Sequence, residues 1–537
     1  MTKWMLALLS VLMAVEASGE ETAVRFERVT GEKNGIASAF QTWHSEEMAR
    51  QGGPGKSHGW WPWGLRAFDF DNDGVLDLLS SHHGTPHSML LRGTVAKDGS
   101  LQFADVTKKL GIDTRDLPGA DDRPWIWDFD GDGRLDIAGF SDESRPNCVW
   151  NLGSEKLEVV AGFSFAPLSH PREVIDIDGD GYLDLDGGSK GCWFYVPDQK
   201  KFRHDAKPRF AMPDGVPSEL LTSMEEMQKA NRGFRTDVLT HDLVGYDTLG
   251  YHPTPIDLDG DGPNDVVLAG SGGYGAPYRG RYLFRQENGQ LVDRTSESGL
   301  PEKGAPIFIR DLTGDGLPEI LVVADKAGEL GGGFFLNEGR GKFRRLDDAI
   351  SKFLDRRGPY LIRVHQTDFD NDGRPDLVLS NPRLGQMVAF QNQDEGRFSE
   401  VLKLSGCWDN NPIVITDFDN DGRVDLAIGL RPAKDSPGDI HLFLNRTESS
   451  SHHLTVLPRM KAPNPFAVGA VVEVYAAGES AKSAARPLLL EKAHTEGTPV
   501  LVGLSDRKAC DVRVTFPGGA VVVKENVPAD GKLTVTP

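Results

Sequence analysis

The sequence predicts an all-β protein: a seven-bladed β-propeller with calcium loops, followed by a small β-rich C-terminal domain. A nine-residue motif, roughly D-x-D-x-D-G-x-x-D, occurs seven times, and successive copies start 59, 48, 81, 54, 57 and 49 residues apart. Such a period is typical of stacked supersecondary units, and each unit has room for four short strands. We number the motifs loop 1 to loop 7, at residues 69–77, 128–136, 176–184, 257–265, 311–319, 368–376 and 417–425.

Each loop offers a set of oxygen atoms of the kind that calcium prefers. Carboxylates stand at positions one, three, five and nine, the carbonyl at position seven can turn inward, and the glycine at position six permits a sharp turn. In loop 1 the predicted ligands are Asp69, Asp71, Asp73, Val75 and Asp77. In the other loops they are Asp128, Asp130, Asp132, Arg134 and Asp136; Asp176, Asp178, Asp180, Tyr182 and Asp184; Asp257, Asp259, Asp261, Pro263 and Asp265; Asp311, Thr313, Asp315, Leu317 and Glu319; Asp368, Asp370, Asp372, Arg374 and Asp376; and Asp417, Asp419, Asp421, Arg423 and Asp425.

Loop 5 is the weakest match, because Thr313 replaces one carboxylate, and we expect the poorest calcium affinity there. An EF-hand is excluded, since it needs a glutamate at loop position twelve and flanking helices. The residues at position twelve are Ser80, Gly139, Gly187, Leu268, Val322, Leu379 and Ile428. The alternative is an acidic turn without metal, but carboxylates packed this closely repel one another.

The strand pattern also predicts how the ring closes. In the first unit, the predicted strands cover residues 64–68, 77–81, 88–92 and 101–107. In the seventh unit, only three are predicted, at residues 412–416, 425–430 and 440–445. The sequence of residues 24–30 resembles that of the first unit's fourth strand, so we expect these residues to complete the seventh blade. This closure would remove most exposed sheet edges.

These motifs resemble the FG-GAP/VCBS repeat propellers, which include the integrin α-chain head and, more closely, the cartilage acidic protein family. A phrase typical of that family, F-x-D-V-T-x-x-x-G-I/L, occurs at residues 103–112 and more loosely at 291–300. The resemblance implies a calcium-stabilised propeller that acts in extracellular adhesion or recognition.

The last part of the chain is a separate predicted domain. Its alternating Val and Leu pattern has no acidic loop and follows a polar hinge at residues 447–453. Segments at residues 464–465, 469–474, 502–504 and 512–519 resemble the ASPIC/UnbV domain that ends such proteins, although Phe516 stands where Trp is usual. The predicted domains are a leader at 1–19, the propeller at 20–446 with an insertion at 203–252, and the C-terminal β domain at 454–537.

The N-terminus has the pattern of a secretory signal peptide. Lys3 precedes an apolar run from Trp4 to Val15, and small residues follow around Ala17. No later run is long enough to span a membrane, so we expect a secreted or extracytoplasmic protein with no transmembrane segment in the mature chain. An uncleaved anchor is the alternative. Extracellular calcium is about millimolar, close to the Kd of extracellular calcium sites.

The net charge of −21 argues against nucleic acid as a partner, because nucleic-acid binding needs a basic surface. The predicted loop ligands include 27 of the 80 acidic residues. Seven bound Ca²⁺ ions would change the formal charge from −21 to −7, an ordinary value for a soluble surface.

Two covalent features stay open at the level of sequence. Cys148, Cys192, Cys407 and Cys510 are too few for a disulfide scaffold, and one bridge with any of three pairings is conceivable. Residues 445–447 read Asn-Arg-Thr, a glycosylation sequon.

Ligand binding is predicted on the face opposite the loops. This face is formed by the residues that precede strand one and those that follow strand two of each unit. The predicted binding residues are Trp60, Trp61, Trp63, His82, His83, Asp121, Arg123 and Trp408. Aromatic rings with convergent polar groups suit an extracellular protein or glycan. For any single tryptophan, including the neighbouring Trp125 and Trp127, packing in the core is the alternative.

The second function class is an extracellular enzyme that uses the same face. In this enzyme, Asp121 or Asp122 would act as a base, and four histidines would form a metal site: His58, His82, His83 and His87. The spacing of these histidines is weak evidence for a metal site. No nucleophile elbow, phosphate loop or zinc-protease helix occurs. The insertion, with a helical centre at residues 217–230, is predicted on this face as a lid, a docking element or a packed helix.

Overall fold

The structure is a computed structural model, and it describes most of the chain. The described residues are 23–29, 31–42, 62–82, 88–111, 124–138, 148–151, 153, 156–160, 173–186, 191–199, 201–207, 252–259, 265–269, 283–287, 290–301, 304–324, 332–355, 362–381, 385–394, 396–407, 412–430, 439–480, 488–493 and 497–537. The predicted leader and the helical centre of the predicted insertion lie outside them.

The protein is all-β, as the sequence predicts. In the described residues, the strands form seven four-stranded antiparallel sheets, here sheet 1 to sheet 7, and two further sheets near the C-terminus. The strands of sheets 1 to 4 are Pro62–Phe68, Asp77–His82, Ser88–Val95 and Leu101–Asp105; Trp125–Trp127, Asp136–Ala138, Cys148–Asn151 and Leu157–Val160; Glu173–Ile175, Asp184–Asp186, Cys192–Val196 and Lys201–Asp205; and His252–Ile256, Asp265–Ala269, Leu283–Glu287 and Gln290–Asp293.

Sheets 5 to 7 repeat this pattern. Their strands are Gly304–Arg310, Glu319–Ala324, Gly333–Asn337 and Phe343–Arg345; Arg363–Thr367, Asp376–Asn381, Gln386–Asp394 and Arg397–Ser405; and Ile413–Thr416, Asp425–Leu430, Asp439–Asn445 and Phe26–Val29. In each sheet, an acidic loop joins the first strand to the second. The second strands of sheets 6 and 7 are buried at every residue, which fits strands that are covered on both faces.

The fourth strand of sheet 7 comes from the N-terminal part of the chain. Phe26–Val29 pairs antiparallel with the strand Asp439–Asn445, and Phe26 lies opposite Asn445. The pairing continues past the strand, because the Arg446 amide donates to the Arg25 carbonyl over 2.7 Å. The two ends of this part of the chain are therefore joined in one sheet.

Neighbouring sheets share hydrophobic cores. Sheets 1 and 2, 2 and 3, 5 and 6, and 6 and 7 each contribute to a common cluster of buried side chains. The last sheet also packs against the first, since Leu65 and Ala67 share a core with Ala427 and Leu442. Trp125 and Trp127 lie in the core between sheets 2 and 3, so their packing role, the alternative raised by the sequence, is what the structure shows.

An asparagine at the end of the third strand ties neighbouring sheets together. Its side-chain Nδ2 donates to the position-two carbonyl of the preceding sheet's loop, over 2.6 to 2.8 Å. These pairs are Asn151 with Phe70, Asn337 with Leu258, Asn392 with Leu312 and Asn445 with Phe369. Asn445, which begins the sequon, is fully buried and donates in this way, so a glycan on its side chain is incompatible with this packing.

The C-terminal residues 452–537 form two smaller sheets, which we call the C-terminal module. One sheet contains Val500–Ser505, His452–Pro458 and Gly531–Val535, and the other contains Leu489–Lys492, Val471–Ala476, Ala509–Thr515 and Val521–Pro528. They enclose their own core. His452 and His453, which the sequence places in the hinge, begin the first of these strands.

The remaining described features are few. Helical residues lie at Gly31–Asn34, 36–42 and Ala349–Leu354, and Asp348 caps the last of these by accepting from the Ser351 amide. Short 3₁₀ turns occur at Pro197–Gln199 and Thr295–Glu297. Cys192, Cys407 and Cys510 are buried, and no disulfide joins any two of them. Among the helices that the structure describes, none combines the length and apolarity of a membrane span.

Candidate metal centre

In loops 1, 2, 3, 5, 6 and 7, whose turns the structure describes, the backbone turns sharply twice. Position six is a glycine with positive φ, as at Gly74, where φ is 88°. Position four also takes positive φ, and is Asn in loops 1, 6 and 7, as at Asn72 with φ 58°. Asparagine tolerates the left-handed region better than other non-glycine residues. These two turns bend the loop so that alternate side chains face a common centre.

Backbone amides fix the carboxylates at positions one and nine. In loop 1, Asp69 accepts from the amides of Asp73 and Gly74 over 3.0 and 2.9 Å. Asp77 accepts from the amides of Phe70 and Gly93, both over 2.8 Å. The position-nine carboxylate thus joins the loop to the end of the third strand, and Asp136, Asp184, Asp376 and Asp425 do the same.

In five loops, the carboxylates at positions one, three and nine converge. One oxygen from each lies within 4.8 Å of the other two. These groups could hold a metal ion, and they are Asp69, Asp71 and Asp77; Asp128, Asp130 and Asp136; Asp176, Asp178 and Asp184; Asp368, Asp370 and Asp376; and Asp417, Asp419 and Asp425.

The acidic residues described in loops 4 and 5 do not form such a group. In loop 4, the Arg285 guanidinium pairs with Asp259, and its Nε lies 3.7 Å from Asp265. Asp261 and Pro263 lie outside the described residues. In loop 5, Glu319 Oε1 and Thr313 Oγ1 are buried without a hydrogen-bond partner. The sequence predicted a weak loop 5. It did not predict the pairing of Asp259 in loop 4, because Arg285 lies outside the nine-residue motif.

Arginines at position seven brace three of the loops. The guanidinium of Arg134, Arg374 or Arg423 pairs with the position-five carboxylate of its own loop. Nε of the same arginine donates to the carbonyl at the end of the third strand, over 2.8 to 3.1 Å. In these three loops the arginine therefore joins the position-five carboxylate to the third strand.

Burial raises the pKa of six position-nine carboxyls, and the neighbouring carboxylates of the same loop raise it further. At position nine, the pKa rises to about 8 for Asp77 and Asp425, to about 7 for Asp184 and Glu319, and well above its usual range for Asp136 and Asp376. Without a cation, these sites favour the protonated acid over the close array of negative charges.

The donor set fits an oxygen-ligated cation. In loop 7, Arg446 donates to Asp419 Oδ2 over 2.7 Å, while Asp419 Oδ1 is buried and has no hydrogen-bond partner. In loop 6, Gln391 donates to Asp370 Oδ2 over 2.7 Å. Each bond holds one oxygen of a position-three carboxylate, and in loop 6 the other oxygen, Asp370 Oδ1, accepts from the Asp372 amide over 3.2 Å. Carboxylate and carbonyl oxygens are the ligands of hard divalent cations.

The C-terminal module covers part of the loop side. Pro463 lies against Gly131 of loop 2 and Gly181 of loop 3. His453 packs on Gly422 of loop 7, and Lys532 Nζ donates to Asn420 Oδ1 over 2.6 Å. Phe466 packs against the cores that sheet 2 shares with its two neighbours.

Most predicted ligand-binding residues lie outside the described residues. These are Trp60, Trp61, His83, Asp121, Arg123 and Trp408. Trp63 and His82 belong to the paired strands Pro62–Phe68 and Asp77–His82, at the end of sheet 1 farthest from loop 1. The strand-one entrance and the strand-two exit are thus neighbours in this sheet.

Three stretches of the chain match a known repeat family. FG-GAP-like repeats match residues 128–185, 257–322 and 368–428, which contain loops 2 to 7 in pairs. The chain contains FG-GAP-like repeats. No curated protein matches the chain.

Solved structures show distant likeness to this FG-GAP-repeat chain. An Agrocybe aegerita lectin that recognises non-reducing terminal N-acetylglucosamine is 18% identical, with a TM-score of 0.34, over 65% of this chain and 81% of the lectin. A Photorhabdus luminescens Tc holotoxin pore is 15% identical, with a TM-score of 0.31, over 83% of this chain and 20% of the toxin. A TcdB2–TccC3–Cdc42 structure is 13% identical, with a TM-score of 0.30, over 86% of this chain and 17% of that one.

The raised pKa values predict how pH changes the stability of the metal-free protein. Unfolded Asp and Glu have pKa values near 4, while burial raises those of Asp77 and Asp425 to about 8 in the fold. Between these values the folded state binds more protons, so the free energy of unfolding falls as pH rises from about 4 to about 8. Thermal unfolding after chelation should show a lower Tm at pH 8 than at pH 6. A metal-free Tm that increases over this range contradicts the argument.

Proposed function

We propose that the seven sheets form a closed seven-bladed β-propeller whose loops bind calcium, and that the protein is a secreted recognition module. The observation that carries the proposal is the recurrence of convergent carboxylates on backbone-fixed loops in successive sheets. The sharing of a core between sheets 7 and 1, and the N-terminal strand in sheet 7, support a ring.

Calcium suits these loops better than other common metals. The described ligand atoms are carboxylate oxygens, without histidine or cysteine, which disfavours zinc and copper. Calcium accepts six to eight oxygen atoms in flexible geometry, whereas magnesium demands a near-ideal octahedron and keeps several waters. The ligands predicted from the sequence, which include one position-seven carbonyl in each loop, supply such an irregular oxygen set.

The role of the calcium is structural in this proposal. At millimolar calcium, a site with Kd of about 10⁻⁴ to 10⁻³ M contributes about 0.4 to 1.4 kcal/mol. Seven sites together would contribute about 3 to 10 kcal/mol, which approaches the whole stability of a domain. Near-identical sites in successive sheets suit stabilisation better than catalysis, which needs one specialised site.

The secreted location rests on the sequence. The leader pattern of Lys3 and the following apolar run directs a protein out of the cytoplasm. Outside the cytoplasm, millimolar calcium would fill sites of modest affinity. The C-terminal module, whose segments resemble the ASPIC/UnbV domain, would belong to the same extracellular protein.

The recognition surface is proposed on the face opposite the loops. The C-terminal module already occupies part of the loop side, at loops 2, 3, 6 and 7. The tryptophans around Trp60 and Trp408, with the polar residues near them, would bind an extracellular protein or glycan.

Removing one carboxylate should reduce the difference in Tm between the calcium-loaded and the metal-free protein. Asp130→Asn takes one charge from a convergent group of loop 2. We expect weaker calcium binding at that site, a lower Tm in calcium by a few degrees, and an unchanged or higher Tm after chelation, because repulsion falls. The matched control is Glu525→Gln, an exposed carboxylate of the C-terminal module. Equal Tm shifts for both variants would count against metal binding by loop 2.

A binding screen tests the recognition surface. The calcium-loaded protein is applied to glycan and extracellular-protein arrays, beside Trp60→Ala/Trp61→Ala and the control Tyr182→Ala in loop 3. We expect a ligand that the double variant loses and the control keeps, with all three proteins melting alike. A ligand that both variants bind equally would place recognition elsewhere.

A further inference from the structure

Loop 6 is more enclosed than loop 1, although both belong to the five convergent loops. Asp370, Asn371 and Asp376 are 3%, 5% and 1% exposed. In loop 1, by contrast, Asn72 and Asp73 are exposed and no atom lies within 4 Å of a Cβ built on Gly74. The difference between the two loops is the presence of the C-terminal module over loop 6.

The module contacts loop 6 through its backbone and the segment that precedes it. The Ser505 amide donates to the Asn371 carbonyl over 2.8 Å, and Ser449 Oγ donates to the Asp370 carbonyl over 2.9 Å. Gly503 lies directly against the loop, because a Cβ at this position would overlap Asp368 Oδ2 and the Asn371 backbone. The module therefore touches a carboxylate of the convergent group itself.

The charge of loop 6 makes this contact costly without a cation. Asp368, Asp370 and Asp376 converge, and Arg374 pairs with the fourth carboxylate, Asp372. Gln391, the partner of Asp370, is neutral. Covering these carboxylates without a cation removes their hydration, and burying unpaired charge is unfavourable. Asn371 Oδ1 is also buried there without a hydrogen-bond partner.

We propose that loop 6 is the metal site through which the C-terminal module docks: a cation bound there stabilises docking, and the docked module retains the cation. This inference rests on the proposed calcium binding and adds a linkage to it. Because linkage is reciprocal, the ion and the module must strengthen each other's binding by the same factor. Loop 1, which the module does not cover, would exchange its ion independently.

Hydrogen exchange tests the effect of the ion on the module. The Ser505 amide bonds to loop 6 only when the module is docked, so exchange of residues 500–507 reports docking. In calcium, Asp368→Asn should accelerate exchange of this segment by about tenfold, a usual size for coupling between sites. The matched control is Asp71→Asn in loop 1, which should leave the segment protected.

Calcium release tests the effect of the module on the ion. Two glycines lie in strands of the module: a Cβ on Gly503 meets loop 6, and a Cβ on Gly531 meets nothing within 4 Å. On mixing with a fluorescent chelator, the wild type and Gly531→Ala should show a slow phase of calcium release. Gly503→Ala should lose this phase while the fast phases remain.

The outcomes separate the linkage from the calcium proposal. A wild type that binds no calcium overturns the calcium proposal and, with it, the linkage. A wild type that binds calcium, but whose segment 500–507 stays equally protected in Asp368→Asn and whose release is unchanged by Gly503→Ala, overturns the linkage alone.

Discussion

The structure depends on how it accommodates carboxylates packed closely together at the loop ends of its sheets. The position-nine carboxylate is buried, accepts from two backbone amides, and joins a loop to the end of the third strand, as Asp77 does between Phe70 and Gly93. Burial raises the pKa of the same residue, and the charges of the neighbouring carboxylates raise it further. A group that organises the backbone so firmly is therefore unfavourable as an anion unless a proton or a cation compensates it. The carboxylates that organise the fold are thus the same groups that a cation would compensate.

The connections between sheets begin at these loops. Asn151, Asn392 and Asn445 each bond their own position-nine carboxylate through the backbone amide and the preceding sheet's loop through the side chain. A single asparagine therefore bonds the loops of two neighbouring sheets. The C-terminal module adds a second layer, since it rests on loops of sheets that are distant in sequence.

Much of this could be predicted from the sequence because the information is local and repeated. The spacing of the aspartates predicted the loops, and five of them bring their carboxylates together. Three features that the sequence did not predict depend on contacts between distant segments. The asparagine ties join residues about 80 positions apart, and only the recurrence of Asn two residues before Gly, as in Asn151 and Asn337, hinted at them. Arg285 reaches loop 4 from another strand. The contact of Gly503 with loop 6 follows from docking of the module, which no local pattern in the sequence specifies.

The most direct measurement is the number of calcium ions that the purified protein binds at equilibrium, determined by dialysis against calcium up to saturating concentration and mass spectrometry of the elements. The account predicts at least five calcium ions per chain, one for each convergent group of carboxylates. It also predicts that these ions are replaced poorly by an equal concentration of magnesium. A protein that binds no calcium, and unfolds at the same temperature with calcium and with chelator, would contradict the claim that a cation compensates the loops.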